Sequence, residues 1–177
     1  AGYSVSSAGD VNNDGWPDML IGSPGVGNET GAAYLYISTP SLQSDSLYDA
    51  GHVFRGANLY SRAGSAVGHV DFDGDSRSDI LIGAPYTGLH ENTQTDYGSV
   101  YLFKANSILA SDVRGLEDAS IIIDGPESSL FGSKVSGIGD TNGDGLEEFL
   151  VSAPETNQVF LFQGGETVVT YSDSHTQ

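Results

Sequence analysis

Three acidic segments carry the clearest chemical signal in the sequence. They read DVNNDGWPD, DFDGDSRSD and DTNGDGLEE and occupy residues 10–18, 71–79 and 140–148. Each has an oxygen-bearing side chain at its first, third, fifth and ninth positions. These twelve residues are Asp10, Asn12, Asp14, Asp18, Asp71, Asp73, Asp75, Asp79, Asp140, Asn142, Asp144 and Glu148. Because alternate residues of a tight loop can turn toward one centre, the spacing predicts three cation sites.

The ligand chemistry of these loops favours calcium. Ca²⁺ takes about 6–8 oxygen ligands in flexible geometry, and several carboxylates in one site suit it. A backbone carbonyl at the seventh position, from Trp16, Arg77 or Leu146, can add one more oxygen. Mg²⁺ ranks second because it requires a stricter octahedron. The ligand positions hold no His or Cys, which argues against zinc.

Ordinary turns are the competing explanation, because Asp, Asn and Gly dominate turns that bind no ion. Three loops with matching oxygen positions argue against it, since clustered carboxylates repel each other without a cation. The loops resemble the first half of an EF-hand loop but lack its final Glu and its flanking helices. Gly15 and Gly145 stand at the sixth position, where a sharp turn can need positive φ. Ser76 stands there in the second loop, which predicts a weaker middle site.

The elements that position these loops form an internal repeat. The loops begin 61 and 69 residues apart, and each lies between a short strand-like segment and an apolar run that ends in Pro. An alternating apolar segment follows in each copy, at residues 31–37, 98–103 and 157–162. A weaker apolar run comes next, at residues 52–56, 120–125 and 167–171. Each repeat therefore predicts four short strands separated by turns.

Four strands in a period of about 60 residues are typical of a β-propeller blade with an enlarged loop. The segment at 100–103, VYLF, is apolar on both alternating faces, as expected of a strand packed between neighbouring blades. The best helix candidate, 105–117, predicts only one helical turn because it lacks an apolar stripe. The insertions at 39–50, 86–97 and 104–119 are predicted to be polar surface loops.

Composition excludes several classes of protein. The chain of 177 residues carries 24 acidic and six basic side chains, so its formal net charge of −18 argues against a nucleic-acid partner. Three bound Ca²⁺ would reduce that charge to −12. The absence of cysteine excludes disulfides and thiol catalysis. No apolar run approaches the roughly 18–20 residues of a membrane span.

Catalytic signals are weak, so we expect that the chain itself is not an enzyme. There is no Gly-x-Ser-x-Gly elbow and no Walker loop. The paired Glu147 and Glu148 could suggest glycosidase carboxylates, but Glu148 fills the ninth position of a metal loop. No spacing ties a histidine to a nucleophile, and the four histidines are His52, His69, His90 and His175.

The repeat resembles the FG-GAP repeat of the integrin α-subunit β-propeller and of its bacterial relatives. The FG element occurs as Phe131-Gly132 and in degenerate form as Ala1-Gly2 and Ala63-Gly64. The GAP element occurs as Gly83-Ala84-Pro85, with the variants Gly22-Ser23-Pro24 and Ser152-Ala153-Pro154. The metal loop lies between the two elements, as in the family. The resemblance covers essentially the whole chain in three consecutive copies.

This resemblance implies an all-β fold of four-stranded antiparallel blades. Each metal loop then joins the innermost strand of a blade to the second strand. The expected blades are residues 1–56, 57–125 and 126–177. Known propellers close with about 4–8 blades, so three blades predict a partial propeller. Its open faces would meet missing blades of a longer parent protein or a second copy in a homodimer.

The resemblance also implies two classes of function. The first is an extracellular or cell-surface module for adhesion or for recognition of a protein ligand, with Ca²⁺ stabilising the blade loops. The second is an accessory propeller of a secreted hydrolase, similar to glycosylphosphatidylinositol-specific phospholipase D, with catalysis elsewhere. Millimolar calcium outside cells would saturate even weak sites, which favours an extracellular location.

Overall fold

Each of the three repeats forms one sheet. Its strands lie side by side in chain order, and neighbouring strands are antiparallel. The structure is a computed structural model that describes residues 1–40, 50–88, 97–110 and 113–165. The predicted strand at 167–171 lies outside the described residues, as do most of the insertions at 39–50 and 86–97. The same is true of His90 and His175.

The described chain is all-β apart from very short helices, as predicted. Its strands are β1 (Ser4–Gly9), β2 (Asp18–Ser23), β3 (Ala32–Tyr36), β4 (His52–Arg55), β5 (Ala66–Val70), β6 (Asp79–Ala84), β7 (Ser99–Phe103), β8 (Val113–Gly115), β9 (Ile121–Asp124), β10 (Val135–Gly139), β11 (Glu148–Ala153) and β12 (Gln158–Phe162). Two helical turns are α1 (Val26–Glu29) and α2 (Ala105–Ile108). Two 3₁₀ turns are Leu116–Asp118 and Pro154–Thr156.

The strands pair in the order that the repeat predicts. The first sheet contains β1-β2-β3-β4, the second β5-β6-β7-β9, and the third β10-β11-β12 within the described residues. The second and third strands pair in the same register in all three sheets. The equivalent residue pairs are Met19–Tyr36, Ile80–Phe103 and Phe149–Phe162. These sheets are the blades of an open, partial β-propeller.

The middle sheet is covered by apolar side chains on both faces, as the VYLF pattern predicts. Tyr101 and Phe103 of β7 belong to a core shared with the first sheet. Val100 and Leu102 point the other way, into a core shared with the third sheet. Every residue of β6 and β7 is buried. Burying one large apolar side chain contributes about 1.5–3 kcal/mol, so this double-sided packing stabilises the middle sheet.

Glycines of the FG and GAP elements form the contact between neighbouring sheets. The FG glycines Gly64 and Gly132 have φ of +80° and +85°, a backbone conformation that side chains disfavour. A Cβ on Gly22 would lie 2.0 Å from the carbonyl oxygen of Gly64. A Cβ on Gly83 would lie 2.1 Å from that of Gly132. The GAP position of these sheets must therefore be glycine, because a Cβ there would clash with the FG backbone of the next sheet.

The insertion at 104–119 is more ordered than the surface loop that its polar composition predicts. It forms α2, the strand β8 and a 3₁₀ turn, and its described residues give three side chains to the first core, namely Ala105, Ile108 and Leu116. The strand β8 pairs parallel to β4, with Phe54 opposite Arg114. The first sheet thus gains a fifth strand. The insertion is polar in its overall composition, but its few apolar residues are buried against the first core.

The outer faces of the first and third sheets expose apolar side chains. Val5 on β1 is 71% exposed, and on β12 Val159 is 66% and Leu161 56% exposed. Neither face is covered by another sheet within the described chain. Among the described residues, no helix has the length and hydropathy that a bilayer crossing requires.

Candidate metal centres

The three acidic loops each join the first strand of a sheet to its second strand. Adjacent loops also contact each other through equivalent backbone hydrogen bonds. The N–H of Ser78 donates to the carbonyl of Asp10 at 3.1 Å, and that of Glu147 donates to the carbonyl of Asp71 at 3.1 Å. The packing of β5 against both β1 and β10 brings the loops side by side.

The first-position carboxylate organises each loop by accepting backbone N–H groups. In the third loop, the two oxygens of Asp140 accept the N–H groups of Gly143 at 2.6 Å and Gly145 at 2.9 Å. Asp10 and Asp71 do the same in their own loops, where the donors are Asp14 and Gly15, and Gly74 and Ser76. The three loops therefore fold around one repeated turn.

The fifth and seventh positions form a second repeated contact. The fifth-position carboxylates of Asp14, Asp75 and Asp144 each accept a seventh-position N–H at 2.9 Å. The donors of these bonds are Trp16, Arg77 and Leu146. Trp16 is 49% exposed at the first loop. The carbonyls of the seventh position remain predicted calcium ligands.

The ninth-position carboxylates are buried, and this role was not visible in the sequence. Asp18, Asp79 and Glu148 are each 1% exposed. Each accepts the N–H of the second loop residue, which is Val11 at 3.0 Å, Phe72 at 3.2 Å and Thr141 at 2.7 Å. The other oxygens of Asp18 and Asp79 accept N–H groups just beyond the third strands, from Ser38 at 2.7 Å and Ala105 at 2.8 Å. This carboxylate therefore fastens the loop to the body of the sheet.

Two of the loops bring three carboxylates close together. In the second loop these are Asp71, Asp73 and Asp75, and in the third loop they are Asp140, Asp144 and Glu148. Within each group, one oxygen of every residue lies within 4.8 Å of the others. The described residues of the first loop form no such group.

The third position of the first and third loops is an amide. Asn12 and Asn142 each donate to the fifth-position carboxylate of their own loop at 2.9 Å. In the second loop this position is Asp73, whose Oδ1 is buried and has no hydrogen-bond partner among the described residues. An all-oxygen donor set with an unsatisfied buried oxygen fits a hard divalent cation.

The electrostatics of the second loop are unfavourable without a cation. Burial is the main cause that raises the pKa of Asp79 to about 7. Backbone N–H donors lower this pKa, and the nearby charges of Asp73 and Asp75 raise it. Burial also raises the pKa of Asp71. In the third loop, by contrast, backbone N–H groups lower the pKa of Asp140. A bound cation would favour the ionised form of all these groups.

The sixth position distinguishes the second loop. Gly15 and Gly145 have φ of +89° and +91°, and Ser76 has φ of +65°. A non-glycine residue costs about 1–2 kcal/mol in this left-handed region, so the backbone follows the same turn at higher energy. The weaker middle site remains a prediction, and this backbone conformation of Ser76 is its physical basis.

Residues 1–36 and 63–103 match the family model of the FG-GAP repeat. The chain belongs to the FG-GAP repeat family. In this FG-GAP chain, the matched segments hold the first two acidic loops and the first three strands of the sheets that carry them. The predicted resemblance is therefore confirmed.

Relatives of this FG-GAP chain include integrin α-subunits and a phospholipase. Integrin alpha-5 of Xenopus laevis is 31% identical over 178 residues, which cover 92% of this chain and 15% of that protein. Integrin alpha-3 of Mus musculus is 34% identical over 122 residues, covering 69% of this chain and 10% of that protein. Phosphatidylinositol-glycan-specific phospholipase D of Bos taurus is 28% identical over 157 residues, covering 71% of this chain and 18% of that protein. The chain spans less than a fifth of each of these relatives.

Proposed function

We propose that this chain is a calcium-stabilised, non-catalytic recognition module of an extracellular or cell-surface protein. The observation that carries the proposal is the threefold repetition of one loop geometry, with converging carboxylates in the second and third loops. We assign the blades of the module to residues 1–56, 57–125 and 126–177. The similarity to integrin α-subunits supports a role in adhesion or in binding a protein ligand.

Calcium would act by stabilising the folded loops. Side chains of the first, third, fifth and ninth positions, with the seventh-position carbonyl, would hold the ion. A ligand that binds only the folded state contributes RT ln(1 + [L]/Kd), or about 2.7 kcal/mol per site at a hundredfold excess over Kd. Extracellular calcium-binding modules have Kd values of about 10⁻⁴–10⁻³ M, and the millimolar calcium outside cells would occupy sites of this affinity, which supports a location outside the cell.

Thermal unfolding with and without calcium tests this proposal. We expect millimolar Ca²⁺, about a one- to tenfold excess over such a Kd, to raise the melting temperature by about 1–6 °C per occupied site. The stabilisation is then about 0.4–1.4 kcal/mol, and 1 kcal/mol corresponds to about 2–4 °C at this chain length. A chelator should reverse the rise, and Mg²⁺ should produce a smaller one. A melting temperature that does not respond to Ca²⁺ would contradict the proposal.

A matched pair of variants shows whether the loops are responsible. The fifth-position residues Asp14, Asp75 and Asp144 are exposed, so replacing all three by Ala should remove the calcium response without unfolding the protein. The control is Glu127→Gln, which removes an exposed carboxylate outside the loops. This control should keep the full calcium response.

The match to the bovine phospholipase supports one alternative, an accessory propeller of a secreted hydrolase. In that case the chemistry would lie in another part of the parent protein. A screen of the parent protein against phosphodiester substrates separates the two functions. Hydrolysis by the parent, and none by this chain, would favour the accessory role over the adhesive one.

A further inference from the structure

The residue that follows the third strand differs among the sheets. The shared register aligns Tyr36, Phe103 and Phe162, so the next residues are also equivalent. They are Ile37, Lys104 and Gln163. Only the second sheet therefore places a cation beside its acidic loop at this position.

The ammonium group of Lys104 contacts the second loop directly. Its Nζ lies 3.0 Å from Oδ2 of Asp73, and the two side chains are 38% and 26% exposed. The same Nζ lies 6.0 Å from the ring centre of Phe72, which is itself a residue of the loop. Of the ion pairs within the described residues, this is the one that reaches a metal loop.

A second contact from the same segment supports this one. The side-chain amide of Asn106 donates to Oδ2 of Asp75 at 2.8 Å. The start of α2 thus supplies a charged donor to the third position and a neutral donor to the fifth. Two of the converging carboxylates, those of Asp73 and Asp75, therefore contact side chains of this segment.

The charge of the second loop explains why a cation is present here. The third position is Asp73 in this loop, whereas Asn12 and Asn142 occupy it in the other two. At the first, third, fifth and ninth positions the second loop therefore has four carboxylates, and each of the others has three. Lys104 offsets the additional carboxylate at the third position, Asp73, with which it pairs.

We propose that Lys104 is an internal counter-ion that lowers the calcium affinity of the second loop and holds that loop in shape when calcium is scarce. The inference rests on the proposed calcium function. The ammonium group of Lys104 and any bound Ca²⁺ would both contact Asp73, and their positive charges repel each other. Calcium must therefore either displace the ammonium group or bind against its repulsion. Without calcium, the same group relieves repulsion among the four carboxylates.

Calorimetric titration with Ca²⁺ tests the effect on affinity. In Lys104→Gln, which installs the residue of the third sheet, we expect one binding step to tighten by about three- to tenfold. Lys104→Met, which keeps the apolar stem, should give the same change. Lys104→Arg keeps the charge and should leave the affinity unaltered.

The matched control is Lys134→Gln, an identical charge change on an exposed residue before β10, away from the loops. It should leave every binding step unaltered. An equal tightening in this control would show that net charge, and not the contact with Asp73, sets the affinity. Unchanged binding in both Lys104→Gln and Lys104→Met would overturn the inference.

Melting in the presence of a chelator provides a second measurement that needs no bound metal. Lys104→Gln should melt several degrees below the wild-type protein, while Lys104→Arg and Lys134→Gln should melt with it. If the wild-type protein binds no calcium, the proposed function fails. The chelator series still decides whether Lys104 stabilises the loop, because equal melting of all variants would overturn that role.

Discussion

The carboxylates of one loop have different roles that follow from their burial. Glu148 at the ninth position is buried and accepts the N–H of Thr141 at 2.7 Å. Asp144 at the fifth position is exposed and accepts the N–H of Leu146 at 2.9 Å. Loss of a buried acceptor leaves its donor unsatisfied, whereas water replaces an exposed one. Position in the loop therefore decides whether a carboxylate stabilises the fold without metal.

We predict that Glu148→Ala lowers the free energy of unfolding in chelator by about 1–3 kcal/mol. Asp144→Ala should change it by less than about 0.5 kcal/mol under the same conditions. Both variants should lose part of the stabilisation that Ca²⁺ confers. Denaturant unfolding with and without calcium measures the two effects separately, and equal losses in chelator would contradict the assignment.

At the scale of the elements, the FG and GAP motifs serve the packing of one sheet on the next. The FG glycine of a sheet donates its N–H to the second strand of its own sheet, as Gly64 does to the carbonyl of Gly83 at 3.0 Å. Its carbonyl faces the GAP glycine of the preceding sheet. The third sheet has Ser152 at the GAP position, and no further sheet lies against it in the described chain.

Substitution of Gly83 by Ala tests this packing. The new Cβ would lie 2.1 Å from the carbonyl oxygen of Gly132, so the second and third sheets must separate locally. We expect a loss of about 1–3 kcal/mol, as is typical of overpacking in a core. Thermal unfolding measures it, and Ser152→Ala, at the equivalent position, should melt within a degree or two of wild type. Equal stability of Gly83→Ala and wild type would show that the contact is not required.

At the scale of the whole molecule, the propeller is open at the outer faces of the first and third sheets. Val5 on the first sheet and Val159 and Leu161 on the third present apolar surface to solvent. Large exposed apolar patches mark surfaces that bind another protein or further domains. Missing blades of a parent protein and a second copy of the chain are the two partners that the blade number predicts.

We predict that the isolated chain self-associates at micromolar concentrations, since two copies would supply six blades. Leu161→Lys places a charge on the outer face of the third sheet and should shift the chain toward monomer. The control is Leu59→Lys, an equally exposed residue (55%) on the connection between β4 and β5. Light scattering measures the mass of each variant, and a monomeric wild-type chain would remove the homodimer from consideration.

The sequence predicts what depends on local spacing. Alternate oxygen side chains define each acidic loop, and the apolar pattern of β7 requires a strand covered on both faces. Both features follow from neighbours in the chain, because the period of a strand and the reach of a tight turn are fixed by backbone geometry. The repeat multiplies these local signals, and for this reason the all-β blades and the positions of the loops are predicted correctly.

Contacts between distant residues were decided only by the tertiary structure. The pairing of Lys104 with Asp73, the fastening of Asp79 to Ala105 and the addition of β8 to the first sheet all involve residues more than 25 positions apart. Their composition gave no signal, because each depends on how the insertion after β7 packs against both the loop and the first sheet. The sequence by itself determined where the acidic loops lie, and the packing of the sheets determined how the three loops differ.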